Sequence, residues 1–414
     1  MALLCSLVIL FVSRSYVTAA AAVLQQEDVA ATATPTTPAS PKFAEIKALT
    51  DSGLQHYYSM EYEDAERDFR RALQLEPEDA KTINHLLNTV LFEALNHAGA
   101  LNTSLYASDG FLALKKQAAI DPRVAADIKR LDERALELSN QRLAKNPDDE
   151  AALYDRGVTR GLFATYQALV EHAWFAALRS AMAARHDHQR VLELDPKNED
   201  AKMIVGMHTY IAGSLPWGVK LAASLVGFSG NKERGLRLLK EAAEANGESS
   251  VDAKVALALF LRRQQRYDEA LDVVRTLTAT YPKNFLFALE EANLLKDMGR
   301  NDDALGSFEA LISEGHTGRF HEPRLEFAYY GLGEMFRGRK HYGEAAEAFD
   351  DALKLPKLDG DIRQRCALSA GEMHDMLNDR TEAMKEYQLA MAGDTNTPTA
   401  QLARRYLREP YKAQ

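Results

Sequence analysis

Eleven histidines and sixty acidic residues are the raw material for acid–base or metal chemistry in this 414-residue chain. One local histidine group stands out, His172, His186 and His188. His186 and His188 are two apart, so on a helix they point to different faces, a poor geometry for one metal ion. No His-Glu-x-x-His occurs, and the group reads as a solvated helix face. The carboxylate pairs Asp148-Asp149 and Asp302-Asp303 stand at loops or helix starts, where they complement the helix dipole. Nucleophile and phosphate motifs are equally incomplete. Gly227-Phe228-Ser229-Gly230 lacks the G-x-S-x-G spacing of a nucleophile elbow. Residues 213–220 (GSLPWGVK) have the glycines and lysine of a phosphate loop, but no adjacent Gly-Lys-Ser/Thr and no preceding strand. Gly331-Leu332-Gly333 opens no dinucleotide fingerprint. The residues therefore point to no catalytic set, no cofactor and no metal.

Composition agrees with a structural role. Glycine and proline number only 23 and 13, below the roughly 12% usual for globular chains. That argues for helix over turn-rich β structure. The net charge of −10 makes a general nucleic-acid surface unexpected.

Residues 3–12 (LLCSLVILFV) are apolar apart from Ser6. The run is too short to span a bilayer, which takes about 20 residues, but suits the core of a signal peptide. Small residues at 19–22 supply a cleavage region, although no basic residue precedes the run. Residues 1–22 are thus expected to be a signal, and Ala/Thr/Pro-rich residues 23–42 an extended linker. Export to the periplasm or outer-membrane vicinity is the expected location. Past the signal only Cys366 remains, so no intramolecular disulfide is expected.

The elements that would position any site come from an internal repeat. Gly53 is followed by Ala65 at twelve residues, Phe69 at sixteen, Ala72 at nineteen and Pro77 at twenty-four. Ala270 precedes Pro282 by twelve; Ala304 follows Ala270 by 34, with Phe308 four later. Gly333, Phe336, Ala345, Phe349 and Ala352 form another copy, and Gly371, Ala383, Tyr387 and Ala390 the last. Gly157 and Gly206 open two more, with Pro147 and Pro196 closing the helices before them. Small residues let two antiparallel helices cross closely, the aromatic fills the gap to the next helix, and proline stops the second helix. This pattern resembles the tetratricopeptide repeat (TPR), which implies an all-α, right-handed solenoid of antiparallel helix pairs over residues 43–395. Residues 80–147 match poorly. Residues 157–196 carry extra helix, and residues 396–414 hold an amphipathic capping helix and tail.

Residues 213–244 depart from the repeat. Leu215-Pro216, then Gly227-Phe228-Ser229-Gly230-Asn231 and Gly235-Leu236, resemble a block of the tetratricopeptide repeat protein 39/inclusion-body-clearance family, with Trp217 in place of a second proline. The surrounding residues 203–230 are apolar-rich, with Lys220 the only charge. They read either as a core segment beneath the long helices or as a membrane- or partner-contacting wedge through Leu215, Pro216, Trp217 and Phe228.

In the repeat frame the groove-facing positions are Tyr57, Tyr58, Tyr154, Met203, Met207, Tyr210, Arg262, Arg263, Asn293, Lys296, Tyr330, Glu334 and Arg337. Such a lining suits a protein or peptide ligand, because asparagine amides could clamp its backbone and arginines hold its carboxylates. The chain is expected to be a non-catalytic exported scaffold. The alternative is a peripheral membrane protein using residues 203–230.

Overall fold

The computed structural model describes residues 41–105, 119–215, 230–245, 247–358 and 360–413. Among these residues there are seventeen α-helices, a short 3-10 turn at Thr103–Leu105 and no strand. In chain order the helices are α1 (Pro41–Tyr58), α2 (Tyr62–Leu75), α3 (Ala80–His97), α4 (Pro122–Lys145), α5 (Glu150–Leu169), α6 (Trp174–Leu194), α7 (Glu199–Ser214), α8 (Lys232–Glu244), α9 (Ser250–Arg263), α10 (Tyr267–Thr280), α11 (Phe285–Asp297), α12 (Asn301–His316), α13 (Leu325–Gly338), α14 (Tyr342–Leu353), α15 (Gly360–Met376), α16 (Arg380–Ala390) and α17 (Pro398–Tyr406).

Local chemistry sets the punctuation. After Pro147, Pro196 and Pro282 the chain reaches Asp149, Asn198 and Asn284, whose side chains accept the first free amides of α5, α7 and α11 at 2.9–3.1 Å. The turn inside a pair uses a different device. Met60, Gln265, Gly299, Lys340 and Asn378 all adopt a left-handed backbone, φ between 59° and 72°. The amide that follows each one reaches back to a carbonyl of the last helical turn, as in Arg300 N–H to Leu295 O at 3.0 Å and Asp379 N–H to His374 O at 2.8 Å.

The small positions work by admitting a ring. A Cβ on Gly53 would stand under 3 Å from the Phe69 ring, and the same holds for Gly333 with Phe349, Gly371 with Tyr387 and Gly157 with His188. Phe69 also stacks on His85 of the following helix, 5.3 Å between centroids, so one aromatic joins its own repeat to the next. Ala65, Ala270, Ala304, Ala345 and Ala383 are fully covered at the crossings. The helix pairs stack as a TPR-type solenoid. The poorly matching stretch resolves into α3 and α4, with Pro122 at the first position of α4 behind the cap Asp121. The extra residues after Gly157 form α5 and α6, of 20 and 21 residues. The capping helix α17 ends at Tyr406 and packs Ala403 on Ala367, Tyr387 and Ala390.

The described residues form two compact units: one from residues up to 57, 61–93 and 119–256, the other from 58–60, 94–118 and 257 onward. Each unit is closed by distant segments. In the first, Lys81 pairs with Glu248 at 2.6 Å and the Asn84 amide donates to Asp155 O at 2.8 Å. In the second, the Asn284 amide donates to Tyr58 O at 2.7 Å, and Arg324 donates to Asn96 O and His97 O at 2.6 and 2.7 Å. A linear repeat array joins only neighbours; these last three links span 226 to 228 positions.

Candidate functional site

In the second unit the first helices of successive repeats stand side by side, α11 against α13 and α13 against α15. Their shared face, with the end of α9, carries a row of charged side chains. Arg262 is buried at 5% exposure. Its guanidinium donates to Glu290 at 2.9 Å and to Asp297 at 2.7–2.8 Å, and the Thr103 hydroxyl also donates to Glu290. Burial works against the Arg262 charge, but Glu290 and Asp297 hold it above the ordinary arginine range. Further along, Arg337 bridges Glu334 and Glu372, each at 3.1 Å. Burial pushes the Glu372 carboxyl up to about 7 even so.

Two cations in this row have no carboxylate. Lys296 touches only the Asn293 side-chain oxygen, at 3.4 Å. Burial draws its ammonium below the ordinary value, and Arg262 and Arg365 add to that against Asp297 and Glu334. Arg365 lies over the Tyr330 ring, 4.4 Å from its centroid, without an ion pair among the described residues. Sequence reasoning missed Glu290, one helical turn before Asn293 on α11, and Arg365 and Glu372 on α15, a helix from which no position was chosen. A charged side chain on the apolar side of a first helix was the available signal.

Several residues expected to line a groove are packing residues instead. Tyr57 stacks edge-on against Tyr62 and Phe92 in the first unit, and Tyr58 packs on Tyr281 in the second. Met203, Met207 and Tyr210 are buried along α7, because that helix is covered on all sides from Met203 to Ala212. Arg262 and Asn293 are buried as well. Tyr154 is half-buried, its ring 5.2 Å edge-on from His188. Arg263, Lys296, Tyr330, Glu334 and Arg337 keep partial exposure. Of the proposed wedge, Leu215 is buried, while Pro216, Trp217 and Phe228 lie outside the described residues, as do residues 1–40. No helix among the described residues is long and apolar enough to cross a membrane.

The histidine group separates. His186 is exposed, whereas His188 is fully buried against Gly157 and donates through Nδ1 to Ala184 O at 2.8 Å. The solvated face expected for all three therefore does not hold for His188. Between them Asp187 is fully buried and takes Arg156 and Arg160 at 2.7 and 2.6 Å. Among the described residues no group of three or more His, Cys, Asp or Glu could hold a metal ion.

A family model described as Iml2/Tetratricopeptide repeat protein 39 matches residues 202–358, α7 through α14 with their connections. The chain is a tetratricopeptide-repeat protein. Its central segment is similar to the Iml2/Tetratricopeptide repeat protein 39 family. No curated protein matches the chain. Solved structures that match include yeast Tom70, at 13% identity, over 89% of this chain and 96% of that one, TM-score 0.42. Another is the human IFIT1 dimer with m7Gppp-AAAA, at 15% identity, over 90% and 84%, TM-score 0.44. A tetratricopeptide repeat protein from Parabacteroides merdae matches at 16% identity, over 79% and 99%, TM-score 0.35.

Proposed function

We propose that this TPR protein is a non-catalytic, exported scaffold that holds a protein partner as an extended segment on the first-helix face of the second unit. The observation that carries the reading is the pair Lys296 and Arg365. Both are largely covered, both lack a carboxylate among the described residues, and they stand in a row where Arg262 and Arg337 are fully paired. A covered cation without a counter-ion is costly; a partner's carboxylate laid along the face would relieve that cost. Tyr330 beside Arg365 adds an amphipathic surface of the kind enriched at interfaces. Membrane contact through residues 203–230 is the weaker reading, since α7 faces protein along its length. Export rests on the apolar run at residues 3–12 and is checked by N-terminal sequencing of protein recovered from the periplasm.

The binding reading is tested by photo-crosslinking a partner from envelope extract with the parent protein, then with the Lys296→Glu/Arg365→Glu variant. Loss of the crosslink by tenfold or more, at unchanged helicity, is expected. A partner retained in full by the variant overturns the assignment of this face.

A further inference from the structure

At the far end of the second unit the chain's last residues fold back and make a second feature. Tyr411 N–H donates to Asp375 at 2.7 Å, and Arg380 donates to the carbonyls of Tyr406 and Leu407 at 2.6 and 2.9 Å. The Asp375 carboxylate, almost fully covered, also takes Arg380 at 2.9 Å and the Tyr387 hydroxyl at 2.8 Å. The Tyr406 and Tyr411 rings meet edge to face, 5.3 Å apart. Residues 406–411 are thus fixed to α15 and α16. Between them and the end of α13 lies an open pocket of about 1080 Å³.

Its charge runs against the rest of the molecule. In a chain of net charge −10, five cations line this pocket (Arg337, Lys340, Arg405, Arg408 and Lys412) against the acids Glu334 and Glu409. Arg337 is held by Glu334 and Glu372. The other four have no ion pair among the described residues, and neither has Glu409, so the pocket presents four unpaired cations against one unpaired acid on a pinned frame. The volume is at the upper end for a ligand of drug size, about 300–1,000 Å³, which accommodates a few peptide residues. Arg337 and Glu334 belong both to this pocket and to the first-helix face, so the two surfaces are continuous.

We propose that this pocket takes an acidic segment, rich in Asp or Glu, of the protein partner; the inference rests on the protein-binding reading above and names the chemistry of that partner. Discrete carboxylates can settle between Lys340, Arg405, Arg408 and Lys412 while avoiding Glu334 and Glu409. A continuous phosphate backbone would meet those acids at close range, which favours a peptide over a nucleic acid. Charge-assisted bonds from the arginine forks supply the recognition, and the affinity falls as salt rises.

The test uses the full chain and three fluorescent probes: a hexaglutamate peptide, a hexaglutamine peptide and a twelve-nucleotide oligouridylate. Fluorescence polarisation should saturate with hexaglutamate and not with hexaglutamine. Arg405→Glu/Arg408→Glu should weaken hexaglutamate at least tenfold without changing the melting temperature, and Lys340→Glu, away from the tail, should weaken it in the same direction. Equal binding of the two peptides, or full retention of hexaglutamate by both variants, overturns the proposal. Tighter binding of oligouridylate than of hexaglutamate, lost in the same variants, overturns it in favour of a nucleic-acid site. If the crosslinked partner is lost on Lys296→Glu/Arg365→Glu yet hexaglutamate fails, the pocket assignment falls alone and the scaffold reading stands.

Discussion

Asp132 is buried on α4, has no ion pair among the described residues, and leaves one carboxylate oxygen without a hydrogen-bond partner. Burial, with Glu133 adding to it, pushes its carboxyl from 3.8 up to about 7. The folded state therefore holds a proton that the unfolded state gives up near pH 4. The stability from this group is full below pH 4 and is lost as pH rises through about 7. At roughly 1.4 kcal/mol per pH unit, the loss reaches a few kcal/mol at most. Asp132→Asn removes the titration. The melting-temperature difference, variant minus parent, should grow between pH 4 and 7 and level off above; a flat difference would mean Asp132 is ionised in the folded protein at all these pH values. At this scale the sequence was only partly readable. The repeat frame placed Lys296, Tyr330, Glu334 and Arg337 on a first-helix face, where they keep partial exposure. It also placed Tyr57, Met207 and Tyr210 there, because the frame knows a residue's turn of helix but not what else packs upon it. Arg365 escaped because its position on α15 was not among those sampled.

The elements were far more legible, since four of the helix pairs set a glycine against a ring, at Gly53, Gly157, Gly333 and Gly371. Gly333→Leu would drive its side chain into the Phe349 ring and should cost a few kcal/mol through overpacking. Gly306, inside α12, has nothing within 4 Å of a hypothetical Cβ. There Gly306→Ala should stabilise by about 0.5–1 kcal/mol through helix propensity alone. Chemical denaturation of both variants checks the register: a neutral Gly333→Leu would refute the crossing assigned to it. The turns inside the pairs could not be read so well. Met60, Gln265 and Lys340 hold the same left-handed turn as Gly299, yet as residue types they announce no turn. Their backbone is set by the docking of the two helices, which outweighs a cost of about 1–2 kcal/mol for leaving the right-handed region.

At the scale of the whole molecule the departure from a simple repeat array is the closure of each unit by distant segments. Asn284 serves twice, capping α11 and satisfying the buried Tyr58 carbonyl. Asn231 at the start of α8 serves as a cap alone among the bonds it donates or accepts here. Asn231→Ala should cost about 1 kcal/mol. Asn284→Ala should cost roughly 2–3 kcal/mol, because the buried bond to the Tyr58 carbonyl is lost as well. Equal losses in urea titrations would show that the Tyr58 link contributes nothing. Periodicity could not announce such links, because a repeat reports its neighbours in sequence and nothing 226 positions away. They matter for how the protein is made. On a ribosome adding about 5–20 residues per second, Tyr58 is synthesised roughly 11–45 seconds before Asn284. Through that interval the early segment of the second unit waits without its partners, while most of the first unit emerges behind it. The order of synthesis therefore completes the first unit before the second, and leaves residues 58–60 and 94–105 as the part of the nascent chain with most need of a chaperone.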